Sequence, residues 1–166
     1  GPTQNLVDAY EMTNGKAIDE QGSGYDPQDP YKDRDARLAM TVAVNGEKWP
    51  DKDTLKTFEG GANSSSVTYG TPTGYYLKKY INKGTIIAKT GSNSFTHEWV
   101  IFRLAEFYLD YAEAALNYTG SGYTAPEGLP MTAAQAINVV RTRAKQPNMA
   151  TGLSFDTFKK KYENER

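Results

Sequence analysis

The clearest periodicity in the chain lies between Trp99 and Tyr118, where Ile101, Leu104, Ala105, Tyr108, Ala112, Ala115 and Leu116 recur at three- and four-residue spacing. That spacing lays one apolar stripe along a helix, and Gly120 supplies the stop. Small Ala112 and Ala115 in the stripe admit a closely packed partner helix. A second helix is predicted from Thr132, which forms a capping box with Gln135; its buried side is expected to be Ala133, Ala136, Ile137, Val140 and Ala144. Ser154 caps a third, with Leu153 and Phe158 at the spacing of a hydrophobic staple. That helix runs to Arg166 without Gly, Pro or cap, where a domain would not normally end.

Upstream of residue 94 the helical period gives way to clusters of Gly, Asn, Asp and Ser punctuated by Pro27, Pro30, Pro50 and Pro72, so loops are expected to dominate. Thr3 predicts a short helix from Gln4 to Met12, with Leu6, Val7 and Tyr10 on one side and Asn14-Gly15 as its end. The stretch from Tyr25 to Tyr31 holds two Asp-Pro pairs and predicts a surface loop. Leu38, Met40, Val42 and Val44 alternate like a strand, Asn45-Gly46 supplies a two-residue hairpin turn, and Glu47-Lys48-Trp49 returns. Glu59 to Gly70 is small and polar and predicts a mobile loop. Thr73 to Ile81 is aromatic and predicted to be extended. These readings divide one domain into a loop- and hairpin-rich portion, residues 1–96, and a helical portion, residues 97–166, truncated at its C-terminus.

Composition adjusts this picture. Leu, Ile, Val and Phe number only 28 of 166 residues, a lean interior that would suggest disorder at high net charge. The net charge is −1, however, and 12 Tyr, 6 Phe and 2 Trp replace the missing aliphatic volume. The balance of 19 basic and 20 acidic side chains leaves no electrostatic footprint for nucleic acid. The charged C-terminal run from Lys159 to Arg166 fits a solvated helix face. No apolar run is long enough to span a membrane, and Gly1 to Asn5 has neither the basic region nor the apolar segment expected of a signal peptide, which says nothing about a longer parent chain. With no Cys, the segment has no disulfide, thiol chemistry, thiolate zinc site or lipid-anchoring Cys.

Candidate reaction chemistry is sparse. The lone His97 precedes the long helix with no nucleophile beside it. Asp26, Asp29, Asp33 and Asp35 lack the spacing, turn Gly and terminal Glu of a calcium loop and fit turn-capping instead. A glycosidase pair of carboxylates is a spatial property that 20 acids make trivially available. No catalytic residue, metal site or cofactor is therefore assigned. Asn63-Ser64-Ser65 and Asn117-Tyr118-Thr119 match the Asn-glycosylation pattern; a bacterial source would use neither, and they count as chance matches by default.

Several stretches in order carry a resemblance. They are Pro2-Thr3-Gln4-Asn5-Leu6-Val7-Asp8-Ala9-Tyr10-Glu11-Met12, then Asp29-Pro30-Tyr31 with Arg34-Asp35-Ala36-Arg37-Leu38, and Gly74-Tyr75-Tyr76-Leu77-Lys78-Lys79-Tyr80. The helical half adds Phe102-Arg103-Leu104-Ala105-Glu106-Phe107-Tyr108-Leu109-Asp110-Tyr111-Ala112-Glu113-Ala114, Ala136-Ile137-Asn138-Val139-Val140-Arg141-Thr142-Arg143-Ala144 and Asn164-Glu165-Arg166. Together these resemble the SusD/RagB family of outer-membrane nutrient-binding lipoproteins from Bacteroidota. The family's N-terminal half, with its lipobox Cys and most of its tetratricopeptide-like helix pairs, is absent, as is the segment that usually follows Asn-Glu-Arg; the chain resembles an internal piece of the C-terminal half. The resemblance implies a mainly α fold of tetratricopeptide-like helix pairs with irregular loops and a short β-hairpin. It also implies a non-catalytic, surface-exposed glycan-binding protein at the outer membrane, lipid-anchored in its parent, that passes oligosaccharide to a TonB-dependent SusC-like transporter. For Glu106 and Glu113, seven apart on one helix face, the resemblance of their stretch implies that they orient a helix pair through Arg141 or Arg143.

A sugar presents C–H faces and a rim of hydroxyls, so its site needs exposed flat rings with a few polar partners. By analogy with bases stacked on aromatic side chains, each ring contributes about 1–3 kcal/mol. One ring alone would bind no better than about millimolar, so several are required. The loop rings are the candidates: Tyr10, Tyr25, Tyr31, Trp49 and Tyr69. Tyr75, Tyr76, Tyr80, Tyr108 and Tyr111 are expected to fill the lean core. A peptide- or protein-binding helical scaffold is the rival reading and requires an exposed apolar helix groove. A hydrolase is the third. For a piece of a larger domain, the faces around Tyr108, Ala112 and Phe158 are expected to be left open or to be covered by a second copy.

Overall fold

The structure is a computed structural model that describes residues 1–48, 54–68, 70–82, 84–85, 93–96 and 98–166. Its elements in chain order are α1 (Gln4–Ala9), α2 (Ala36–Thr41), β1 (Val42–Ala43), β2 (Tyr76–Leu77), α3 (Leu104–Thr119), α4 (Ala133–Arg143) and α5 (Phe155–Glu165). They fall into two compact units. One comprises Gly1–Tyr10 with Ala36–Glu98, the other Glu11–Asp35 with Trp99–Arg166.

In the first unit Thr3 caps α1 by accepting a hydrogen bond from the Leu6 amide, as its position predicts. The helix ends at Tyr10, before Met12, and buries Val7 against Leu38, Val42 and Tyr75. The Leu38–Val44 alternation resolves differently from the strand it suggests. Leu38 and Val42 are also four residues apart, so a helical turn buries both while leaving Met40 70% exposed; residues 36–41 are accordingly helical. The strand begins only at Val42, and its antiparallel partner is Tyr76–Leu77, with Val42 opposite Leu77 and Ala43 opposite Tyr76. The Asn45-Gly46 turn forms, with Gly46 at φ +83°, and leads Lys48 into a bridge with Thr54.

The described part of Glu59–Gly70 is a knitted series of turns. Amides of Gly61, Ser64, Val67 and Gly70 each donate to the carbonyl three residues earlier, and the Asn63 amide and side chain bind back to Lys56. A Cβ at Gly61 or Gly70 would collide with the Lys56 or Ser64 carbonyl, so glycine is what lets these turns close.

In the second unit α3, α4 and α5 share a core of Leu109, Ala112, Ala115, Leu116, Ala133, Ala136, Ile137, Phe158 and Tyr162. The small residues Ala112 and Ala115 are both buried in this core. Gly120, in the left-handed region at φ 67°, ends α3 where the sequence places the stop. Its start is later than the pattern suggests. Trp99 to Arg103 precede the helix, no side chain caps it, and Ile101 is 74% and Leu104 69% exposed. Tyr108 is half-buried while Ala112 and Phe158 are fully buried, so the face around Ala112 and Phe158 is not left open; exposed apolar residues cluster instead at 99–107.

Helix α4 carries the complete Thr132–Gln135 capping box. Thr132→Ala removes an acceptor for the Gln135 amide, and a loss of about 1 kcal/mol is expected in urea melts, with an unchanged m-value. Ser154 caps α5 by accepting from the Thr157 amide, and Leu153 packs against the cluster that contains Phe158.

Candidate functional site

Two of the sequence-predicted rings, Tyr25 and Tyr31, ride on one loop, Glu11–Asp35. Its two ends are drawn together by the Met12–Arg34 bridge, the Thr13 amide donating to Asp33 at 2.7 Å and the Asp35 amide donating to Glu11 at 2.8 Å. Such a neck closes the span into one loop whose ends meet. Inside it, Asn14 donates to the Ser23 carbonyl at 3.0 Å, Lys16 Nζ to the Gln21 carbonyl at 2.8 Å, and Ser23 Oγ to the Ile18 carbonyl at 3.0 Å.

Arg34 stiffens the ring-bearing half. The residue is buried, its Nη1 donates to the Pro30 carbonyl at 2.8 Å, and its guanidinium carbon stands 5.5 Å from the centre of the Tyr25 ring. Tyr25 is thereby half-buried, while Tyr31 is 37% exposed. The acidic run behaves as turn chemistry: Asp26 accepts from the Gln28 amide at 2.9 Å, and Asp33 adopts a positive φ of 54°. Among the described residues no group of three or more His, Asp or Glu side chains is placed to hold a metal.

The loop is docked through an ion network centred on Arg141 of α4, whose side chain is only 3% exposed. Nη2 donates to Glu11 at 2.8 Å, Nη1 to Glu165 at 2.8 Å and Nε to the Pro147 carbonyl at 2.6 Å. Lys161 of α5 lies 3.9 Å from Glu11 and 3.2 Å from Glu20. Partial burial would raise the Glu20 carboxyl, but the hydrogen bond and charge of Lys161 outweigh it and hold Glu20 below the usual carboxylate range.

These partners correct one expectation. Arg141 joins Glu11 and Glu165, while Glu113 accepts from Arg166 at 2.5 Å and from the Tyr162 hydroxyl at 3.1 Å. Arg166 also reaches Asp110 at 2.9 Å. Burial pushes the Tyr162 hydroxyl up, Arg166 opposes this, and the Glu113 charge reinforces it. Glu113 thus ties α3 to the end of α5.

Tyr10 belongs to the first unit, where it is half-buried against the Val7–Leu38–Val42–Tyr75 cluster. Trp49, Tyr69 and His97 lie outside the described residues. Tyr75 is buried and donates to Gln4 Oε1 at 2.6 Å, as a core ring would, and Tyr111 donates to the Met131 carbonyl at 2.6 Å. Tyr80 is instead 51% exposed, with φ 68°. Arg34 and Glu11 were visible in the sequence only inside the family-like stretches; no spacing rule pairs Arg34 with the Tyr25 ring, and Arg141 lies 130 residues from Glu11.

A mainly helical chain with a two-residue antiparallel pair and long knitted loops is a specific combination, and comparison with known proteins gives it a family. The model of the SusD family matches residues 1–166. The chain belongs to the SusD family. A crystal structure of a SusD-like protein from Bacteroides fragilis NCTC 9343 superposes with a TM-score of 0.76 at 24% identity, covering 100% of this chain and 32% of that one. A SusD-like carbohydrate-binding protein from the same organism gives a TM-score of 0.69 at 26% identity, again covering 100% of this chain and 32% of its own. The chain therefore spans about a third of the length of these structures. Among curated proteins no sequence matches it.

Proposed function

We propose that the chain is part of a non-catalytic glycan-binding protein of the outer-membrane surface and that the Glu11–Asp35 loop contributes rings to its site. The observation that carries the reading is a loop closed at its neck, with Tyr25 braced by Arg34 and Tyr31 37% exposed. Rings held in place lose little freedom when a sugar stacks on them, so more of the stacking energy appears as affinity. Membership of the SusD family and the likeness to a carbohydrate-binding relative support the ligand class. Delivery of the captured oligosaccharide to a TonB-dependent SusC-like transporter, and a lipid anchor outside this segment, complete the proposal. No helix among the described residues is long and apolar enough to cross a membrane.

The test is calorimetry of the protein carrying this chain against a panel of neutral and acidic oligosaccharides. Tyr31→Ala is expected to weaken the best binder by about tenfold, the effect of roughly 1.4 kcal/mol of lost stacking. Unchanged affinity in both Tyr31→Ala and Tyr25→Ala would remove the loop from the site. The peptide-binding alternative has its own observation, the exposed Leu104 and Phe107 at the start of α3. It predicts that Phe107→Ala weakens a bound apolar peptide and leaves oligosaccharide binding alone.

A further inference from the structure

We infer that Glu11 and Arg141 are positioning residues for the ring-bearing loop, a clasp that fixes where Tyr25 and Tyr31 stand on the helices α4 and α5. The consequence for affinity rests on the glycan reading; the clasp itself does not.

Glu11 has two jobs at one place in the fold. Its carbonyl accepts the Asp35 amide at 2.8 Å and closes the loop neck, and its carboxylate accepts from Arg141 Nη2 at 2.8 Å and docks that neck on α4. A few residues on, the loop again meets Arg141. At Gly15, which has φ +78°, a methyl would sit 3.2 Å from Arg141 Nη2 and 3.3 Å from the Pro147 ring. Lys161 then holds the loop at two points, Glu11 and Glu20. Three loop residues, Glu11, Gly15 and Glu20, converge on one guanidinium and one ammonium.

The energetics of such a network favour geometry over stability. Buried ions lose hydration that their mutual attraction only partly returns, so an apolar cluster of similar volume would hold the unit together as well or better. What directional, charge-assisted hydrogen bonds add is a single docked arrangement. Arg141 is suited to this because its planar fork satisfies Glu11, Glu165 and the Pro147 carbonyl at once, which a lysine could not do.

The experiment compares Glu11→Ala and Glu11→Gln in the protein carrying this chain. Both leave Arg141 balanced by Glu165. Hydrogen exchange without ligand reads the clasp: in Glu11→Ala the Thr13 and Asp35 amides are expected to exchange at least about tenfold faster while the Ile137 amide in α4 is unchanged. Glu11→Gln keeps an acceptor for Nη2 and is expected to restore most of the protection. Calorimetry with the best oligosaccharide of the panel reads the consequence, an affinity about tenfold weaker in Glu11→Ala and near the parent value in Glu11→Gln. Equal acceleration at Ile137 and in the loop would reduce Glu11 to a general stabiliser, and unchanged loop exchange would overturn the clasp. A parent protein that binds no oligosaccharide would end the glycan reading and leave exchange alone to decide the clasp.

Discussion

Phe158→Ala is expected to cost the protein about 3–5 kcal/mol, the range for deleting a fully enclosed aromatic ring. Phe158 has no exposed surface and sits one turn into α5. Tyr123 meets it edge-on, with centroids 5.4 Å apart and planes at 81°. Gly122 lies so close to the ring that a Cβ there would overlap it. Neither neighbour can close the space left by alanine. Tyr123 is fixed by its hydroxyl, which donates to the Ala150 carbonyl at 2.6 Å and accepts from the Leu153 amide at 3.1 Å. Gly122 is fixed because its carbonyl accepts the Ala134 amide at 2.9 Å at the head of α4. The void therefore persists, and cavity cost adds to lost burial. Urea melts followed by near-ultraviolet and far-ultraviolet signals check this, and a loss below about 1 kcal/mol would mean that the site collapses around alanine after all.

The ends of α4 and α5 were readable because caps are local: Thr132, Gln135 and Ser154 satisfy amides within three residues of themselves. Gly120 was readable for the same reason. The start of α3 was not, since Trp99, Val100, Ile101 and Phe102 continue the apolar character upstream with nothing to mark where the helix begins. Leu38 to Val44 failed in another way. Alternating residues include pairs four apart, and only the packing of Leu38 and Val42 against Val7 and Tyr75 decides between the two periods. The loop of residues 59–70 looked unstructured because its order comes from backbone bonds, which leave little trace in side-chain pattern. For the candidate site, sequence could nominate Tyr25 and Tyr31 as loop rings. It could not show Arg34 over Tyr25, nor Glu11 on Arg141 across 130 residues, because neither pairing has a spacing rule.

Arg141→Met is expected to be as damaging as the loss of Phe158, by a different route. The substitution nearly preserves volume but leaves the Glu11 and Glu165 carboxylates, 6% and 2% exposed, around an apolar side chain. Breaking a buried ion pair from one side typically costs about 3–5 kcal/mol, most of it the uncompensated charge that remains. Lys161 still stands 3.9 Å from Glu11 and offsets part of that charge. The decisive control is the triple replacement Glu11→Leu, Arg141→Met and Glu165→Leu. If the damage is electrostatic, the triple variant recovers most of the stability lost in the single one, because the carboxylates go with their partner. If both lose about the same, the cost lies in shape and in the lost bond to the Pro147 carbonyl. Stability recovered in the triple variant should also come without the parent's loop protection at Thr13 and Asp35, since leucine at position 11 can be buried in more than one arrangement. Stability and loop placement would then have been separated by a single set of substitutions, which is what a network built for geometry predicts.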